Sequence, residues 1–278
     1  ICFYEFQQVT FLKQWKALKE YAHSKDIQII GDIPIYVAFD SADSWAHPEL
    51  FQFDEECQPV AVAGCPPDAF SATGQLWGNP LYRWNYHKKT GFSWWMKRIR
   101  FSFELYDMVR VDHFRGFDQY YAIPFGETTA IHGAWEDGPG IAIFEKIKEV
   151  FGKVNIIAED LGFLTPSVLK LVQKTGYPGM KVLQFAFDSR DSGCANDYLP
   201  HNYPENSVAY TGTHDNETIA GWWKSITVKE RKLARDYLCD SCTPANRLHM
   251  SFISLIMRSQ ARMCIIPLQD YMGLDNDC

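Results

Sequence analysis

Arg110, Asp112, His113 and Arg115 stand together in the stretch MVRVDHFRGFDQYYAIP, residues 108 to 124. Val109 and Val111 alternate with Arg110 and Asp112. In an extended strand the two valines therefore face one way and the guanidinium and carboxylate the other. A cation two residues from an acid on the same face favours the ionised acid. His113, Arg115 and Gly116 then read as a strand end opening into a loop, where α/β scaffolds commonly carry catalytic groups. The same residues also fit a structural ion pair capping a strand. The pattern recurs: Glu159 ends the apolar run VNIIAED on the face of Ile157, and His214 and Asp215 end VAYTGTHDNET, 208 to 218. Asp32 closes the run IQIIGDIPIYV, 27 to 37, and either serves a site or satisfies loop amides. Asp112, Glu159 and Asp215, at three strand ends, are expected to converge. They suit glycosidic chemistry, in which one acid attacks the anomeric carbon and another protonates the departing oxygen. A third acid can steady the oxocarbenium-like state between them. Spacing alone leaves Mg²⁺ or Ca²⁺ binding open, since clustered acids also hold those ions.

Positioning these acids takes a series of alternating strands and helices. Phe11, Trp15, Leu18 and Ala22 recur at helical spacing over residues 11 to 25, with Thr10 as N-cap. The run from 27 to 37 reads as a strand buried on both faces, cut short by Gly31 and Pro34. From 39 to 91 periodicity fades while Pro, Gly, Asp and Trp accumulate, the mark of an irregular, loop-rich subdomain inserted after the first strand. Its Asp68, Gln75, Trp77 and Asn79 offer hydrogen-bonding groups beside an aromatic face, a mix suited to polyhydroxylated ligands, although each alone is an ordinary loop residue. A second amphipathic helix over 92 to 106 turns Phe92, Trp95, Ile99 and Phe103 inward. Helices near 141 to 151 and 166 to 174, a buried strand over 180 to 187, a helix-rich stretch over 229 to 257 and a last strand over 264 to 270 complete the series. Six strand candidates alternating with helices indicate a parallel α/β sheet. Acids at the ends of several strands, with no GxGxxG or P-loop signature, favour a (β/α) barrel over a doubly wound sheet.

The bulk numbers narrow the partners. With 278 residues, 46% of them apolar, the chain can bury a substantial core, and length does not decide between one domain and two. A net charge of -7 with scattered Lys and Arg argues against a nucleic-acid or anionic-membrane surface. Aromatic residues make up 15%, enough for both a core and sugar stacking. The eight cysteines are dispersed, which fits a reducing cytoplasm better than a disulfide framework. Cys239 and Cys242 form a lone CxxC without a second pair or a histidine at ligand spacing, a weak basis for zinc or redox use. No apolar run approaches the roughly 18 residues of a membrane helix. No basic and apolar leader pattern opens the chain, although its start at Ile1 leaves a leader undecided.

The segments GDIPIYV, PPDAFSATGQLWGNPLYRW, RVDHFRGF, AEDLG, THDNET and PLQD, in this order, resemble the 4-α-glucanotransferases, also called amylomaltases or disproportionating enzymes. The resemblance runs over nearly the whole chain. It implies a (β/α)8 TIM-type barrel of the α-amylase clan and a retaining transfer between α-1,4-glucans. By the same resemblance Asp112 is the nucleophile, Glu159 the general acid/base and Asp215 the transition-state stabiliser. Asp32, Arg110, His113 and His214 match positions lining the donor subsite, and Asp68, Gln75 and Trp77 match a loop overhanging the glucan. The implied partners are a malto-oligosaccharide or α-glucan donor and a glucose or glucan acceptor, with no cofactor, no metal, no nucleic acid and no membrane. The mechanism requires a raised pKa at Glu159 and an Asp112 kept ionised by Arg110.

Members of that family are longer, so the resemblance implies a fragment: a partial catalytic barrel over 1 to 278 with six of eight strands, entered after the first two and clipped at Asp275 to Cys278. Such a piece alone is expected to expose unpaired edges and to be poorly active. Two other readings share the acids: a retaining α-glucan hydrolase with water as acceptor, and a non-catalytic glucan-binding protein. The sequon Asn216-Glu217-Thr218 reads as chance within the motif of Asp215.

Overall fold

The alternation around Asp112 becomes the middle strand of a parallel ladder. The computed structural model describes residues 2–68, 71–162, 164–188 and 195–277, and the chain divides into two units, Ile1–Tyr177 and Pro178–Cys278. In chain order the first unit contains α1 (Cys2–His23), β1 (Ile30–Ile33), α2 (Ala42–Ala46), β2 (Ala61–Cys65), β3 (Gln75–Pro80), α3 (Trp84–Lys89) and α4 (Ser93–Leu105). It continues with β4 (Met108–Val111), β5 (Gln119–Pro124), β6 (Ala134–Asp137), α5 (Ile141–Phe151), β7 (Ile156–Ala158) and α6 (Pro166–Thr175). The strands β1, β4 and β7 run parallel with β4 central, and their register sets Asp32 opposite Arg110 and Arg110 opposite Ile157. A second, antiparallel sheet has the order β3-β2-β5-β6.

Helix α4 lies as its spacing predicts: Trp95 and Ile99 are buried, Phe103 is partly buried, and Phe92 is buried just before the helix in a left-handed conformation (φ 54°). Their core includes Phe51, Tyr82, Phe114, Phe117 and Phe144, joined by close ring contacts such as the stacked Phe114–Phe144 pair at 4.8 Å. Helix α6 is delimited by Thr165, whose hydroxyl accepts from the Val168 amide, by Pro166 in its first turn, and by Gly176 in the left-handed region (φ 70°). Lengthwise, α5 and α6 agree with the sequence reading.

The second unit contains β8 (Gly179–Val182), β9 (Ser207–Tyr210), α7 (Ile219–Ser225), α8 (Val228–Leu238), α9 (Leu248–Met257), β10 (Met263–Ile265) and α10 (Leu268–Met272). Its strands are parallel with β9 central. A capping box between Thr227 and Glu230 starts α8, and Phe187, Trp222 and Phe252 pack together beneath the helices.

Several expectations are corrected. Helix α1 begins at Cys2 and runs through Thr10, which is therefore no N-cap, and none of its residues is buried. Phe11 and Leu18 stay exposed and Trp15 and Ala22 are half-buried. Among the described residues the helix is tied along one line, by Trp15 Nε1 donating to the Leu105 carbonyl (2.9 Å), Lys19 Nζ to that of Glu104 (3.3 Å), and His23 with Asp107 (3.0 Å). The run from 27 to 37 ends as a strand at Ile33, as the interruption at Pro34 predicts, since proline cannot donate to the ladder, but β1 is not buried on both faces: Ile30 and Asp32 are exposed and Gly31 and Ile33 buried.

The segment 39 to 91 is not wholly irregular, since α2, β2, β3 and α3 lie within it. Glycine disguised the strands: a Cβ at Gly64 would collide with the Gln75 carbonyl of β3, so close pairing requires Gly there. Over 180 to 187 the strand stops at Val182 and Leu183–Phe187 forms a 3₁₀ turn. A short apolar run cannot be told from a buried helical turn by periodicity. The last run is likewise divided: β10 ends at Ile265, and Pro267 introduces α10. Six cysteines are free among the described residues, while Cys194 and Cys278 lie outside them. Among the described residues no helix is long and apolar enough to cross a membrane.

Candidate active site

Parallel pairing explains why the charged residues of the first unit meet. Side chains two apart on one strand share a face, and register neighbours on parallel strands share it too. Asp32, Arg110, Asp112 and Glu159 follow from this pattern on β1, β4 and β7, at the carboxyl ends of the strands. The ladder extends past those ends: the Asp112 amide donates to Ile33 O (3.0 Å), Glu159 N to Val111 O (3.1 Å), and Phe114 N to Glu159 O (3.0 Å). The acids are thus fixed by backbone as well as by side-chain bonds.

Arg110, 8% exposed, forks between two acids. Its Nη1 donates to Asp32 Oδ2 (2.6 Å) and its Nη2 to Asp112 Oδ1 (2.8 Å). Burial works against the guanidinium charge, but the bond to Asp32 and the charges of Asp32, Asp112 and Glu159 outweigh it and raise the Arg110 pKa. Both acids remain partly exposed, with side-chain exposures of 45% for Asp32 and 41% for Asp112. Asp112 therefore presents a paired but accessible carboxylate.

Glu159 is held differently. Its Oε2 accepts from the His113 amide (2.7 Å) and its Oε1 from the Leu161 amide (2.9 Å). Amide donors ordinarily lower a carboxyl pKa. Here burial is the largest influence and the Asp112 charge adds to it, so Glu159 rises from 4.5 to about 7 against the two amides and Arg110. The amide of His113 points at Glu159 because this residue adopts the left-handed conformation (φ 48°). Its imidazole is pushed down to about 4 by burial and by the Arg115 charge, so it is neutral near pH 7. The buried His113 Nε2 has no hydrogen-bond partner among the described residues.

Trp77 meets His113 edge-to-face, with ring centroids 4.8 Å apart, and is 37% exposed. Gln75 supports it by accepting from the indole Nε1 (3.0 Å). The aromatic platform expected of this segment therefore stands beside the histidine that follows Asp112. Asp68 is exposed and turns the chain by accepting from the Ser71 amide (2.7 Å), whereas Ala69 and Phe70 of the same motif lie outside the described residues. Asn79 takes a structural position: its Nδ2 donates to Val37 O (2.9 Å).

In the second unit His214 and Asp215 follow β9 in a turn, 68% and 73% exposed, with His214 Nε2 3.5 Å from Asp215 Oδ2. Sequence reasoning passed over two groups. Cys65, at the end of β2, lies near enough to Arg115, Asp68, Glu159 and Asp112 for their charges to act on it, and burial lifts its thiol to about 11. Asp270, 1% exposed, accepts hydrogen bonds at both ends of the turn carrying Asp215. The motif PLQD was the signal for Asp270, but only its role in the resemblance drew notice. Cys65 carried no signal beyond its residue type.

Parallel strands carrying a paired carboxylate and a buried, proton-retaining carboxyl at their ends define an α/β enzyme scaffold of the barrel class. Solved structures share this fold. An α-amylase from Lactobacillus plantarum shares the fold at 15% identity, with TM-score 0.52, over 96% of this chain and 58% of that one. An amylomaltase from Streptococcus agalactiae in complex with acarbose matches with TM-score 0.93 and 43% identity, over 98% of this chain and 54% of that one. The 4-alpha-glucanotransferase of Clostridium butyricum is 49% identical over 277 residues, 99% of this chain and 56% of the relative. The profile of the 4-alpha-glucanotransferase family matches residues 1–278, and the chain belongs to that family. It spans about half the length of the relatives it matches.

The raised Glu159 pKa has a consequence for stability. The unfolded chain loses this proton near 4.5 and the folded chain near 7, so the stabilisation is full below the first value and is lost as pH rises through the second. Relative to Glu159→Gln, the parent should therefore lose on the order of 3 kcal/mol of unfolding free energy between those pH values. Urea unfolding of both proteins at the two pH values measures it, and a difference that does not vary with pH contradicts the assignment.

Proposed function

We propose that the protein is a 4-α-glucanotransferase that moves a segment of a 1,4-α-D-glucan to the 4-hydroxyl of a glucose or glucan acceptor. The observation that carries the proposal is the pairing of unlike carboxyl environments: Asp112 bonded to Arg110, and Glu159 buried with a pKa of about 7. Family membership supports the same reaction.

In the first step an Asp112 oxygen forms a bond to the anomeric carbon as the glycosidic bond breaks, and the Glu159 proton passes to the departing 4-oxygen. The product is a glycosyl ester on Asp112. In the second step the Glu159 carboxylate takes the proton of the acceptor 4-hydroxyl, whose oxygen displaces Asp112 from the anomeric carbon. Glu159 is protonated again and configuration is retained. Asp215 stabilises the oxocarbenium-like transition states. Asp32, Arg110, His113 and His214 contact the donor sugar, with His113 acting as a neutral donor or acceptor. Asp68, Gln75 and Trp77 lie over the glucan, where the indole excludes water so that a sugar hydroxyl is the better-placed acceptor. The unpaired thiols among the described residues support a reducing compartment, and we place the enzyme in the cytoplasm.

Incubating the product of the complete reading frame with maltotriose tests the reaction. A ladder of longer glucans with free glucose is expected, whereas short products alone would identify a hydrolase. Asp112→Asn should retain at most about a thousandth of the parental turnover while still binding glucan, and undiminished turnover would refute its role. Trp77→Ala should raise the share of hydrolysis by roughly twofold or more, and an unchanged transfer-to-hydrolysis ratio would remove the indole from acceptor selection.

A further inference from the structure

The turn carrying His214 and Asp215 leaves both side chains largely in solvent, so its backbone must do the positioning. Its ends converge on one side chain. Asp270, on α10, accepts from the Thr211 hydroxyl through Oδ2 (2.6 Å) and from the Ile219 amide through Oδ1 (2.7 Å). Thr211 is the residue after β9, and Ile219 is the first residue of α7. One carboxylate thus closes the base of the segment 212 to 218.

Within that segment Asn216 Oδ1 accepts from the Thr213 amide (2.9 Å) and hydroxyl (2.8 Å), and the Asp215 amide donates to Thr213 Oγ1 (3.3 Å). Gln184 Nε2 donates to Glu217 O (2.8 Å). The Thr213 and Asn216 bonds shape the turn internally, and Gln184 and Asn276 (Oδ1 accepting from the Thr218 amide, 3.1 Å) hold its later half, but among the described residues only Asp270 joins its two ends. Thr211 is fully buried and Asp270 is 1% exposed, so neither bond exchanges easily with water. A carboxylate withdrawn from water is costly unless donors satisfy it, and short bonds to a charged acceptor are correspondingly strong. No lysine or arginine among the described residues is paired with Asp270. Filling space there would not call for an acid, whereas bridging a hydroxyl and an amide at opposite ends of a turn does.

We propose that Asp270 is a positioning residue for Asp215, setting through Thr211 and Ile219 the height and angle at which the Asp215 carboxylate stands beyond β9. This rests on the reading of Asp215 as transition-state stabiliser. Loosening the clamp misplaces a group used in the transition state more than in the bound substrate, so it acts on kcat and not on KM.

The test uses Thr211→Val, which keeps the shape of the side chain and deletes its donor, beside Thr211→Ser, which restores a hydroxyl. In the product of the complete reading frame, Thr211→Val should lower kcat about tenfold or more, with KM within about twofold. Thr211→Ser should return kcat to within about threefold of the parent. An unchanged kcat in the valine variant, a loss confined to KM, or a serine variant no better than valine would each overturn the clamp. Should the valine variant not fold, Asp270→Asn reads the same bond, since it leaves one acceptor oxygen for two donors, and an unchanged kcat there overturns the proposal equally. Asp215→Asn separates the two levels of the argument. Turnover surviving in it defeats the role of Asp215 and the clamp together, whereas abolished turnover with an unaffected Thr211→Val defeats the clamp alone.

Discussion

A single guanidinium shared between two acids is the constraint on which the site of the first unit depends. Parallel pairing of β1, β4 and β7 brings Asp32, Arg110, Asp112 and Glu159 to one face. Without a cation, three carboxyl groups at adjoining strand ends would repel one another and some would take up protons at neutral pH. Arg110 resolves this by forking between Asp32 and Asp112, at 2.6 and 2.8 Å. Its planar geometry matters, because a lysine ammonium could not hold two carboxylates in fixed directions in the same way.

That fork leaves Glu159 as the odd member. It receives two backbone amides in place of the guanidinium, and burial with the neighbouring Asp112 charge overrides them to keep its pKa near 7. One acid is therefore presented as an anion and the other as a proton carrier, although they are the same functional group one strand apart. Environment, not residue type, divides the work. His113 joins the two halves of the arrangement. Its left-handed backbone aims an amide at Glu159 while its neutral ring meets Trp77.

Much of this was legible in the sequence because it follows from alternation. Val109-Arg110-Val111-Asp112 could place its charges on one face only as a strand, and Ile157 and Glu159 repeat the rule. Helix α4 was legible for the same reason, with Trp95 and Ile99 buried as their spacing required. What was not legible depends on partners far away in the chain. The stripe of Phe11, Leu18 and Ala22 in α1 looks like any buried face, yet burial requires a neighbour to cover it. Strand β2 was hidden by Gly64, which close backbone approach to β3 demands, and β3 by Gly78, which adopts a left-handed φ of 78°. The apolar run after Val182 turned helical, an outcome that hydrophobicity alone does not decide. Asp270 gave no sign of its two bonds, because Thr211 and Ile219 lie more than fifty residues upstream.

The central claim is that Glu159 carries its proton into the neutral range and donates it in the first step. The measurement that addresses this most directly is the pH dependence of kcat/KM for maltotriose disproportionation by the product of the complete reading frame, which reports the essential acid of the free enzyme. The account predicts an alkaline limb with a midpoint near pH 7, where Glu159 loses its proton. A profile that stays flat about two pH units beyond that midpoint would contradict it, because a carboxylic acid could not then be the group that protonates the departing oxygen.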